Sequence, residues 1–237
     1  MKCSPWMGGV WHQSLSPTLK LKPNSDNTRF ARSIQNAVTT SMINPNQDLM
    51  AQMAACRVCA AHLPLGPKPI ARVSCAYARI LIISQAPGTK AHASGIPWDD
   101  ASGIRLRRWM GLEPAAFYDE RNIAILPMGL CYPGKMKGGD AAPRPECAPL
   151  WHDRALALLP EVQLTILIGA YAMSRYLGTS RGKTLTQTVQ NWQSHMSEGY
   201  FPLVHPSPRN QLWLKNNPWF EAEIVPALQD HVRKACL

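Results

Sequence analysis

Three short runs of uninterrupted apolar residues punctuate the middle of this chain: Arg79-Ile-Leu-Ile-Ile-Ser84, Asn122-Ile-Ala-Ile-Leu126 and Leu164-Thr-Ile-Leu-Ile-Gly169. Each is short, rich in β-branched residues and bounded by polar or turn residues, so each predicts a strand buried on both faces. Tyr200 to Val204 is a fourth candidate. Helical patterns occupy Ser102 to Gly111, Pro149 to Leu159, Ala170 to Leu177, Leu185 to Trp192 and Pro218 to Lys234, and an amphipathic run from Asp48 to Ala61 precedes the first strand. Strands alternating with helices predict an α/β fold: three layers, α/β/α, around a central, mainly parallel four-stranded sheet. Such sheets take ligands in the crevice beyond the carboxyl ends of their strands.

Residues 1–47 carry no such pattern. They are polar, interrupted by Pro5, Pro17, Pro23 and Pro45, and end in the breaker Asn44-Pro45-Asn46. They read as a disordered extension, as an over-long start with Met42 or Met50 the true beginning, or as a basic arm that touches DNA. Residues 48–237 then form one domain, and 46% hydrophobic residues supply a sizeable core. Lys and Arg number 25 against 15 Asp and Glu, a net charge of +10 that favours a polyanionic partner, nucleic acid first and acidic lipid second. With no apolar stretch of bilayer length and no signal-peptide core, the expected setting is the cytoplasm, without membrane contact. The expected state is a monomer.

Cysteine spacing adds chemistry. Cys56 and Cys59 form a Cys-x-x-Cys pair far upstream of Cys131 and Cys147. A close pair followed by a distant pair is the pattern of a four-thiolate site, iron–sulfur or zinc, because one chelating turn supplies two ligands and a later loop closes the cage. A thioredoxin-like redox pair at Cys56 and Cys59 is the alternative, and it leaves Cys131 and Cys147 unexplained. Cys3, Cys75 and Cys236 have no partner at ligand spacing.

The segments after the strands should face one crevice. Gln85-Ala86-Pro87-Gly88 follows the first, then Gly95-Ile-Pro-Trp98-Asp99-Asp100; Pro127-Met-Gly-Leu-Cys131 follows the second; His205-Pro-Ser207-Pro-Arg209-Asn210 follows the fourth. Prolines on either side of a histidine fix the backbone around it, which suits a side chain whose position matters.

With these loops in this order, the chain from Asp48 to about Val232 resembles the uracil-DNA glycosylase superfamily, closest to the family-4 enzymes that carry a [4Fe–4S] cluster. That family places Gly-Glu-Ala-Pro-Gly after the first strand, a Gly-x-Pro-Phe loop that stacks on the flipped uracil, and a late His-Pro loop. The His-Pro-Ser-Pro-Arg-Asn segment is similar to the single-strand-selective branch. The resemblance implies base-excision repair of uracil, or another deaminated base, in DNA. It also implies Cys56, Cys59, Cys131 and Cys147 as cluster ligands, with zinc the second choice. Ala86, Pro87, Gly88, Ser207, Arg209 and Asn210 fall to the substrate pocket by the same route.

Residue chemistry qualifies this. Gln85 stands where family 4 has Glu, and an amide orients water without taking its proton. Pro127 stands where family 4 has the Asn that reads the uracil edge, and Trp98 replaces the stacking Phe. Glycosidic cleavage leaves negative charge on the departing base, so His205 is the expected electrophile. Trp98 is either the stacking face or a core residue. Asp99 and Asp100 either supply the missing carboxylate or cap the following helix, the commoner use. Lys135, Lys137 and Arg144, in the glycine-rich stretch between Cys131 and Cys147, are the expected phosphate contacts. A non-catalytic iron–sulfur protein that binds damaged or single-stranded DNA is the competing function.

Overall fold

A computed structural model describes residues 44–236, so the expected N-terminal extension falls almost wholly outside them. In chain order the principal elements are α1 (Pro45–Ala55), β1 (Ile80–Ile83), α2 (Thr89–Ser94), α3 (Ala101–Met110), α4 (Pro114–Phe117) and β2 (Ile123–Ile125). A two-stranded hairpin follows, β3 (Lys135–Met136) and β4 (Gly139–Asp140), then α5 (Cys147–Leu156), β5 (Leu164–Ile168), α6 (Ala170–Leu177), α7 (Leu185–Gln190) and α8 (Trp192–Met196). β6 (Tyr200–Leu203), α9 (Gln211–Asn216) and α10 (Val225–Ala235) complete the chain, with a π-helical turn at Phe220–Ile224 before α10.

The central sheet runs β2-β1-β5-β6 and every pairing in it is parallel. Helices flank it, as the alternating pattern predicts. All four residues of β1 are fully buried, which is why this stretch is continuously apolar. β6 is an outer strand and carries Pro202, a residue tolerated at a sheet edge where one row of N–H groups has no partner strand. The other edge is shielded by the chain before β1: Arg72 and Ile125 exchange both backbone hydrogen bonds, at 2.8 and 2.7 Å. α10 packs on α3, and α5 on α1.

The predicted element boundaries shift in three places. α1 begins at Pro45, inside the segment read as a breaker, because a first helical turn has no use for the N–H that proline lacks. Its buried Asn46 donates to Val73 O and Leu158 O at 2.9 and 3.0 Å, fastening the helix to the segments that lead into β1 and β5. The expected helix Leu185 to Trp192 is two short ones, and the glycine-rich stretch between Cys131 and Cys147 contains the β3–β4 hairpin. Its turn is Lys137-Gly138, with Gly138 at φ 93°, a conformation open to glycine. Among the described residues no helix is long and apolar enough to cross a membrane.

One buried polar residue went unread in the sequence. His152 on α5 is fully buried, donates from Nε2 to Pro127 O at 3.1 Å and accepts at Nδ1 from the Tyr176 hydroxyl at 2.6 Å. That pattern requires the neutral ring with its proton on Nε2. Burial drives its pKa down from 6.5 to about 4, against the opposing hydrogen bond to Pro127. Between pH 6.5 and 4 the unfolded chain therefore binds a proton at this residue that the folded chain does not, and stability falls as the pH falls. The expected loss from His152 across that window is about 3 kcal/mol. Denaturant melts at pH 7, 5.5 and 4 should show it, and His152→Gln, which cannot charge, should flatten the dependence relative to wild type.

Candidate active site

A cavity of about 360 Å³ opens among the loops that follow the sheet strands. Ala86, Pro87 and Gly88 from the loop after β1, Trp98, and His205, Ser207 and Arg209 from the loop after β6 all line it. The histidine loop is fixed from within: Asn210 Nδ2 donates to His205 O at 2.7 Å, and the Arg209 N–H to Ser207 Oγ at 3.3 Å. Arg105 of α3 donates to Ser207 O at 3.1 Å. Asn210 thus shapes the loop without lining the cavity. Burial pushes the His205 pKa down, with Asp100 and Asp140 pulling the other way, so the ring is neutral at neutral pH.

The Trp98 ring lies beside it, with centroids 5.6 Å apart and planes inclined by 32°. Trp98 is 9% exposed and has φ 61°, the one positive φ of a non-glycine residue among those described. A bulky side chain in that region costs about 1–3 kcal/mol and persists when its surroundings hold it. Here Arg107 Nη1 donates to Trp98 O at 3.3 Å, and the Tyr118 hydroxyl to Pro97 O at 3.1 Å. Asp100 caps α3, accepting from the Gly103 N–H at 2.8 Å, and it also lines the cavity; exposed Asp99 does not.

The hairpin closes another side. Lys135 and Asp140, paired across β3 and β4, both line the cavity. Arg209 Nη1 donates to Gly138 O at 3.3 Å, and Gln85 Nε2 donates to Ala141 O at 2.9 Å. Gln85 therefore points at the hairpin and is absent from the cavity lining. Lys137 stays outside, and Arg144 pairs with Glu146 at 2.6 Å beside the cysteines. Asp100, one of the two carboxylates the sequence offers for the site, lines the cavity, as do Asp140, Ser84 and Ser102, for which the sequence gives no such signal. Among the described residues no Asn or Gln side chain lines it, and Pro127 presents only its ring and backbone.

A family model of the uracil DNA glycosylase superfamily matches residues 72–229. The chain belongs to that superfamily. Membership implies a glycosylase-type hydrolase acting on DNA, and in this superfamily member the match spans the whole sheet and all of the cavity lining but Ile70.

The four cysteines of this glycosylase-superfamily chain meet at a second, smaller cavity. Cys56, Cys59, Cys131 and Cys147 line it with Leu130 and Arg144 among their neighbours. The Leu130 N–H donates to Cys147 Sγ at 3.3 Å. Burial pushes the Cys147 thiol up to about 12, and the thiols of Cys131, Cys59 and Cys56 add to the shift. Cys131 is raised in the same way, by burial first and then by Cys56 and Cys59. Among the described residues, no three His, Cys, Asp or Glu side chains converge as they do around a single metal ion.

The seat of Trp98 is set by Gly103. A methyl on that glycine would lie 1.8 Å from Trp98 O, whereas one on Gly88 would meet nothing closer than 3.7 Å. Gly103→Ala should therefore lose at least about 2 kcal/mol, and Gly88→Ala should stay within about 1 kcal/mol of wild type. Paired denaturant melts of the two variants check this.

Proposed function

We propose that this protein hydrolyses the N-glycosidic bond of uracil, or of another deaminated base, in DNA. The observation that carries the reading is the neutral, half-buried His205 beside the Trp98 ring in one cavity at the carboxyl end of the sheet. A base flipped out of the helix needs an aromatic or apolar face to stack on, and Trp98 supplies it. As the bond breaks, charge moves onto the base, and a preorganised N–H donor stabilises that charge without giving up its proton. His205 is such a donor. Lys135 adds positive charge at the cavity and, with Lys137, a path for phosphates outside it. Arg144 belongs to the cysteine cavity in this reading.

The diverted Gln85 favours the competing function, a DNA-binding protein without catalysis, since the side chain expected to orient water is spent on Ala141. Base release decides between them. Wild type should free uracil from an oligonucleotide in a single-turnover assay, and His205→Ala should slow release about 100- to 1000-fold with little change in DNA affinity. Gln85→Ala should cost much less. Tight DNA binding with no release of uracil, hypoxanthine or xanthine would instead support the binding protein.

For the cysteines, the donor set fits a [4Fe–4S] cluster, held by Cys56, Cys59, Cys131 and Cys147. Four thiols share one cavity and a backbone N–H already points at one sulfur, an interaction that tunes such clusters. When bound, the cluster would tie the segment after α1 to the segment after β2. Protein purified without air should be brown and contain about four irons with matching sulfide. Colourless protein with one zinc would transfer the site to that ion.

A further inference from the structure

One carboxylate in the cavity has no part in the roles above. We infer that Asp140, at the end of the β3–β4 hairpin, takes the proton from the attacking water, a role that rests on the glycosylase reading. The loop after β1 cannot provide that base, because Gln85 is neutral and its amide is turned onto Ala141 O. Yet that bond holds the residue next to Asp140, and Arg209 holds Gly138 on its other side. The hairpin is thus pinned at both ends of its second strand with Asp140 turned into the cavity.

Its position suits the task. Asp140 Oδ2 lies 3.7 Å from where a Cβ on Gly88 would stand, so the carboxylate overhangs the loop after β1. It is close enough to His205 for its charge to act on that ring, and it lines the cavity with Trp98. Asp100 is its neighbour, with Oδ2 4.0 Å from the same point, but its carboxylate is anchored through Oδ1 to the cap of α3, whereas that of Asp140 is not anchored. Asp99 lies outside the lining. Among the described residues Asp140 forms no hydrogen bond or ion pair through its side chain, although Lys135 is its strand partner, and it is exposed to solvent.

In the step, the water oxygen bonds to the sugar C1′ as the bond from C1′ to the base nitrogen breaks. The electron pair of that bond leaves with the base, stabilised by the His205 N–H. The water proton passes to Asp140, which later returns it to solvent or to the released base, giving an abasic sugar and the free base. Two negative carboxylates, Asp100 and Asp140, also favour the positive charge that develops on the sugar.

Asp140→Asn tests this in single-turnover release of uracil, with DNA affinity and melting temperature measured on the same protein. The variant should slow release by about 100-fold or more and keep its affinity and fold. It should also lose the acid limb of the rate–pH profile, which a structural role would leave in place. Asp140→Glu should recover part of the rate, and Asp140→Ser, which removes the carboxylate differently, should match Asp140→Asn. Release within about threefold of wild type, or a loss of affinity as large as the loss of rate, would overturn the role while leaving the glycosylase reading intact. A wild type that releases no base would overturn both.

Discussion

Complete burial of β1 is the constraint on which the rest depends. Ile80 to Ile83 have partners on both edges and apolar packing on both faces, so the strand has one admissible place, the middle of the sheet. Parallel neighbours then oblige every connection to cross the sheet and every β-to-α loop to emerge at the same end. The chain moves from β1 out to β2 on one side and returns to β5 on the other, and such a reversal of winding opens a crevice at the strand ends. Trp98, His205 and the loop after β1 share a cavity because the sheet leaves them no other exit.

What could be read from the sequence follows the same physics. Strands buried on both faces announce themselves as unbroken apolar runs, and all four were legible with errors of a residue or so at their ends. The Trp98 and His205 loops were legible because prolines and their order along the chain mark them. The β3–β4 hairpin was not, since two-residue strands are too short to establish a period of two. With the hairpin went Asp140, whose placement depends on where Gln85 turns, a tertiary fact that no local pattern carries. Arg144 has the charge and the glycine-rich neighbourhood of a phosphate contact, and Glu146, two residues away, pairs with it beside the cysteine cavity, which local charge does not reveal. His152 left no signal at all: a single histidine on an amphipathic helix looks like any half-exposed polar residue.

The segment from Cys131 to Cys147 joins the two cavities. Its ends line the cysteine site and its middle forms a wall of the larger cavity, with Gln85 and Arg209 gripping that middle. Lys135 and Asp140 in one cavity are thereby joined by a short stretch of backbone to Cys131 and Cys147 in the other.

Among the described residues the lining of the larger cavity contains hydroxyls and charges but no side-chain amide, and Pro127 offers a ring where a base edge would be read. A fixed amide presents donor and acceptor in set places and so distinguishes one base edge from another, whereas a hydroxyl rotates to satisfy whichever partner arrives. In the glycosylase reading, side-chain recognition would rest on stacking, size and charge. Bases would then be sorted less by the pattern of their edges than by how well they bear a negative charge on departure, a kinetic filter that admits a class of damaged bases where an amide would admit one.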